Sequence, residues 1–68
     1  MIKVFFIRDS EVRFVDVSLE TIERLRKFAW QRKLSVHDVV GSVYDNSSGK
    51  VSEKLIVEYL NDQEASES

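Results

Sequence analysis

The residues with the most chemical potential lie near the middle of the chain. His37 is the only histidine, and it stands beside Asp38 with Ser35 and Ser42 close by. A serine, a histidine and an aspartate can carry out nucleophilic catalysis only when they converge around the imidazole. Here they are sequence neighbours on a predicted helix, where adjacent side chains point apart. His37 is therefore read as a polar residue of a first helical turn, and no enzymatic activity is expected. The chain has no cysteine, which excludes disulfides, thiolate-held zinc and a thiol nucleophile. A single histidine excludes a multi-histidine metal site, and Gly41 and Gly49 are too isolated for a phosphate-cradling loop. No metal or cofactor is expected.

Charge is the second candidate chemistry. The net charge is −2, but it is unevenly placed. Residues 1–34 hold eight Lys or Arg against five Asp or Glu, a net +3. Residues 35–68 hold two against seven, a net −5. Such a split suits a chain whose two ends meet different partners, whereas the plainer reading is ordinary solvating charge on helix faces.

The elements that must position these residues are legible from periodicity. IKVFFIR (2–8) and EVRFVDV (11–17) are rich in β-branched and aromatic residues, with Asp9-Ser10 between them. A two-residue turn there sets Arg8 opposite Glu11, Phe6 opposite Arg13, Phe5 opposite Phe14 and Lys3 opposite Asp16. Two opposite-charge pairs and one aromatic pair then fall into register together. The turn lacks the Gly or Asn that two-residue hairpin loops favour, so a longer loop is the alternative. Both faces of such a hairpin carry apolar residues, which calls for cover from its own helices on one side and a partner on the other. Ser18 caps a predicted helix over 19–33, with Leu19, Ile22, Leu25, Phe28 and Ala29 as its buried stripe and Trp30 off it. Ser35 caps a second over 36–44, with Val36, Val39, Val40 and Val43 inward and Tyr44 at the edge. Gly41 inside it costs about 1 kcal/mol relative to Ala, and either permits close helix packing or marks a weak helix. DNSSGK (45–50) reads as a loop. Residues 51–62 read as a third helix capped by Ser52, with Leu55, Ile56, Tyr59 and Leu60 on one side.

The chain has 68 residues, enough for one small domain, placed at 1–62, with an acidic disordered tail at 63–68. A domain of this size buries only about 60% of its unfolded surface and is marginal alone. Without disulfides or metal, a homodimer is the expected remedy. MIKVFFI is too short for a secretory leader, and no run of about 20 apolar residues could span a membrane. A cytoplasmic protein without membrane contact is expected.

The order of strand, capped helix, short polar bend and second capped helix, in SLETIERLRKFAWQRKLSVHDVV, resembles the ribbon-helix-helix superfamily of DNA-binding proteins over residues 12–44. The features that carry the resemblance are Leu25-x-x-x-Ala29 late in the first helix, Ser35 opening the second, and the aliphatic pair Val39-Val40. The resemblance implies an α+β dimer whose paired strands enter the major groove of DNA and whose second helix grips a phosphate at its amino end. Carried onto this chain, Ser35 and the backbone of Val36 hold the phosphate, with Arg32 and Lys33 beside them. The strand contributes Phe14 and Asp16 outward, with Arg13 exposed only by a one-residue shift of register. Val12, Phe14 and Asp16 are an unusual reading set, since base edges are met mainly by Arg, Lys, Asn and Gln.

Three functions follow as expectations. The first is a dimeric DNA-binding transcriptional regulator, with Arg24, Lys27, Arg32 and Lys33 supplying affinity for the DNA backbone. The second is an antitoxin-type chain whose acidic C-terminal segment, with Leu55 and Tyr59, lies on a partner protein. The third is a small protein-binding module, an inhibitor or adaptor, that docks through its hairpin edge and Trp30.

Overall fold

The N-terminal half of the sheet signal holds in full. In a computed structural model that describes residues 1–66, β1 (Ile2–Arg8) and β2 (Glu11–Val17) form an antiparallel hairpin. The pairs Arg8–Glu11, Phe6–Arg13, Phe5–Phe14 and Lys3–Asp16 all stand opposite one another. The loop is the short one. Asp9 and Ser10 sit at φ 56° and 63°, the left-handed conformation that a two-residue hairpin turn of matching twist requires of both residues. Three helices follow, α1 (Leu19–Gln31), α2 (Val36–Asn46) and α3 (Glu53–Ser66), making an α+β fold.

Strand parity assigns the sheet two different faces. Val4, Phe6, Val15 and Val17 point inward and are buried. They meet Ile22, Leu25, Phe28 and Ala29 of α1, Val39, Val40 and Val43 of α2, and Ile56 and Leu60 of α3. The helices form one layer over one face of the hairpin. Leu19, expected in the buried stripe of α1, is instead exposed; the first turn of α1 faces the core with Thr21 and Ile22. No helix among the described residues is long and apolar enough to cross a membrane.

Capping residues set the helix starts. The Ser18 side chain accepts from the Thr21 N–H, and the Ser18 N–H donates to the Glu53 carboxylate at the start of α3. Ser35 and Asp38 form a reciprocal capping box on α2. Ser52 Oγ accepts from the Leu55 N–H at 3.3 Å. The ends depart from expectation. α1 stops at Gln31 with Lys33 in the left-handed conformation (φ 58°), and Leu34 N–H returns to Ala29 O at 2.8 Å. α2 runs on to Asn46 and stops the same way, with Ser48 left-handed and Gly49 N–H on Tyr44 O at 3.0 Å. Both are Schellman endings with a non-glycine residue where glycine is preferred.

The boundary placed at residue 62 is also corrected. α3 continues to Ser66, so residues 63–66 of the expected disordered tail are helical; residues 67 and 68 lie outside the described residues. Arg24 of α1 anchors this end, donating to Asn61 Oδ1 at 3.0 Å and pairing with Glu64 at 3.3 Å.

Gly41 has a use other than helix–helix contact. A Cβ there would collide with the Arg8 guanidinium, which lies across the helix to reach Asp45 at 3.2 Å and the Ile7 carbonyl at 3.0 Å. Arg8 thus turns away from Glu11, and Glu11 pairs with Arg13 at 2.8 Å instead. A double-mutant cycle tests this arrangement. In an Arg8→Ala background, Gly41→Ala should show its full helix-propensity gain of about 1 kcal/mol in urea denaturation. With Arg8 present the gain should be smaller, because the methyl displaces the guanidinium. Equal gains in both backgrounds would show that the two residues do not share this space.

Candidate functional site

The outward face of the hairpin is built by the same parity that fills the core. Three cross-strand pairs line it: Lys3–Asp16, Phe5–Phe14 and Ile7–Val12. The rings of Phe5 and Phe14 lie 6.1 Å apart at 55°, and Lys3 Nζ sits 4.1 Å from the Phe14 ring centre while pairing with Asp16 at 3.3 Å. None of the four apolar side chains is covered. Phe5 is 48% exposed, Phe14 56%, Ile7 64% and Val12 69%. They stand side by side on one face, and an exposed apolar cluster of this kind is often functional. Beside it, between the edge of β1 and the start of α2, lies a cavity of about 430 Å³ bounded by Phe5, Ile7, Arg8, Val12, His37 and Asp38.

His37 belongs to this border. Its Nδ1 hydrogen-bonds to the Phe5 carbonyl, and because a carbonyl can only accept, the ring carries its proton at that nitrogen. His37, read from the sequence as a polar residue of a first helical turn, stands there and ties that turn of α2 to the outer edge of β1. Among the described residues, no group of three or more His, Cys, Asp or Glu is placed to hold a metal ion.

The residues expected to contact DNA are divided by the fold. Phe14 and Asp16 share the outward face, but Arg13 is on the opposite one, half-buried against the Tyr44 ring, 5.0 Å from its centre. Asp16 faces Lys3, so the outward set carries no unbalanced positive charge. At the α1–α2 connection, the Arg32 guanidinium lies 3.6 Å from the Phe28 ring centre and donates to the Phe28 carbonyl at 3.3 Å. Lys33 occupies the left-handed position of the helix ending. Ser35 N–H donates to Asp38 Oδ2 at 3.3 Å, and Val36 is half-buried against the core. The amino end of α2 therefore already holds a carboxylate of its own, next to the position where a phosphate would be gripped.

The residues expected to meet a protein partner are divided too. Leu55 and Tyr59 pack on the chain's own core, Tyr59 edge-on to Phe28 at 6.2 Å. Trp30 is 82% exposed. On the other side of α1, Arg24, Lys27, Gln31, Arg32 and Glu64 border a second cavity of about 320 Å³ floored by Phe28. Phe5 and Ile7 were recoverable from the sequence, since the register that turns Phe14 outward turns them outward as well. The role of His37 was not, because it depends on where the second helix lands.

No family model, curated protein or solved structure matches this chain.

The helix ending at Lys33 generates a stability test. Lys33→Gly removes the strain of a side chain in the left-handed region and should raise stability by about 0.5–1 kcal/mol in urea denaturation. A loss of stability would mean that the lysine side chain makes a contact worth more than the strain.

Proposed function

We propose that this protein is a protein-binding module, an adaptor or inhibitor, whose contact surface is the outward face of the β1–β2 hairpin. The observation that carries the reading is the uncovered row of Phe5, Ile7, Val12 and Phe14, four apolar side chains paired across one face of the hairpin, whereas exposed Leu19, Trp30 and Leu34 lie elsewhere on the chain. Aromatic and aliphatic groups gathered on a rigid sheet, with a charged pair at the rim, are what a protein interface places at its centre. The same composition fits base edges poorly. The antitoxin-type alternative finds its C-terminal segment already folded, with Ile56 and Leu60 fully buried in the chain's own core.

One observation favours a second reading, DNA contact through the basic side of α1. Arg24, Lys27 and Arg32 line one groove, and Lys33 lies next to it in the chain. Against that reading stand Glu64 within the groove and Asp38 at the amino end of α2.

The two readings separate experimentally. Phe5→Ser with Phe14→Ser removes two half-exposed rings and their pairing, costing about 2–4 kcal/mol, so circular dichroism must first show the variant folded. A photo-crosslinker at position 7 should trap a discrete protein in cells that express the wild-type chain, and lose it in the double variant. Titration with duplex DNA at low salt should leave Trp30 fluorescence unchanged. DNA binding that weakens steeply with salt, unaffected by the double substitution, would favour the second reading.

A further inference from the structure

The two edges of the hairpin are treated differently. Arg8 and Glu11 close the two-residue turn and are therefore a hydrogen-bonded pair, so bonded pairs recur at Phe6–Arg13, Val4–Val15 and Ile2–Val17. The backbone N–H and C=O groups of the alternate residues point away from the hairpin: Lys3, Phe5 and Ile7 on the β1 side, Val12, Phe14 and Asp16 on the β2 side. On the β1 side the chain takes two carbonyls, His37 that of Phe5 and Arg8 that of Ile7, while the outward N–H groups of Lys3, Phe5 and Ile7 have no partner among the described residues. On the β2 side, among the described residues, no helix or side chain bonds to the backbone of Val12, Phe14 or Asp16. α3 meets β2 at its exit, where Glu53 accepts from Ser18. Folded proteins usually blunt an open edge; here side chains take two acceptors on the β1 edge and none on the β2 edge, where an added strand would have to answer the inward-pointing Arg13.

A second feature lies on the same strand. Arg13 turns inward, donates to Glu11 from Nη2, and keeps a buried Nε without a hydrogen-bond partner among the described residues. A strand laid along β2 would set one of its own inward side chains beside Arg13, whose partly exposed guanidinium a carboxylate there would share with Glu11.

We propose that the partner adds an extended segment to the open edge of β2, extending the sheet to three strands. This rests on the protein-binding reading above and specifies its partner. The backbone groups of Val12, Phe14 and Asp16 demand a strand rather than a helix. The outward row calls for apolar side chains flanking Val12 and Phe14, and Arg13 calls for an acidic residue at the inward position that faces it. The expected ligand is thus an extended peptide of alternating apolar residues with an acidic residue at one inward position.

Amide hydrogen exchange followed by NMR tests this on the full chain. The probes are a blocked seven-residue peptide of valine and threonine with one central glutamate, its glutamate-to-lysine counterpart, and the glutamate peptide N-methylated at alternate residues. With the glutamate peptide, the amides of Val12, Phe14 and Asp16 should exchange at least about tenfold more slowly, and those of Lys3, Phe5 and Ile7 should not. The lysine peptide should bind at least about tenfold more weakly, and N-methylation in the phase that removes the facing N–H groups should abolish protection. Shifts at the Phe5 and Ile7 side chains without protection along β2 would overturn strand addition and leave the face-binding reading standing. Protection that grows with the protein's own concentration, without peptide, would place a second copy on the edge and overturn the peptide assignment. No change with any peptide at millimolar concentration would also overturn it, while the crosslinking experiment decides the face-binding reading separately.

Discussion

The register of the hairpin controls the rest of the molecule. Because side chains alternate across a strand, the alignment of Arg8 with Glu11 decides which residues of both strands enter the core and which face away. A slip of β2 by one residue would bury Val12, Phe14 and Asp16 and expose Val15 and Val17. The left-handed pair Asp9-Ser10 holds the alignment at one end, the Lys3–Asp16 ion pair supports it at the other, and the phenylalanine pair lies between. The exposed ion pair contributes at most about 1 kcal/mol. Burial of Val4, Phe6, Val15 and Val17 therefore has to be the main source of specificity.

From that register follows an imbalance. The hairpin has two apolar faces, and the three helices make a single layer that covers one. Full burial of a Val, Ile or Phe side chain is worth about 1.5–3 kcal/mol, so half-exposed Phe5, Ile7, Val12 and Phe14 together hold about 4–6 kcal/mol. Association costs about 4–15 kcal/mol in lost freedom before any net affinity remains. Even with a similar contribution from the surface a partner buries against it, the apolar face is comparable to that cost and leaves only a modest net affinity. Backbone pairing along β2 is the nearest additional source of binding free energy, which is why the face and the edge are best considered as one surface.

Much of this was legible in the sequence, and the exceptions share a cause. Charge and aromatic pairing specified the register, and the serines at 18, 35 and 52 specified the helix starts, because both are local signals. The helix ends were less legible. Lys33 and Ser48 adopt a conformation usually marked by glycine, so nothing in their side chains announces it. The extension of α3 to Ser66 is accompanied by an arginine 40 residues away in sequence, and Leu19 is exposed while Thr21 and Ile22 face the core from the same turn. Gly41 read as a point of close helix packing or of helix weakness; what lies against it is the Arg8 guanidinium, from a strand 33 residues earlier. In the candidate site, Phe14 and Asp16 could be placed outward from parity alone, and the same parity places Arg13 on the opposite face. The carboxylate at the amino end of α2 was visible as Asp38, but its reciprocal bond with Ser35 required the helix start to be fixed.

The central claim is that a single chain leaves Phe5, Ile7, Val12 and Phe14 open to solvent while enclosing Val4, Phe6, Val15 and Val17. Solvent paramagnetic relaxation, measured by NMR on dilute protein with a soluble gadolinium chelate, tests it most directly. The account predicts strong relaxation of the first four side chains and weak relaxation of the second four. Similar relaxation of both sets, or protection of the first set in a dilute single chain, would contradict it.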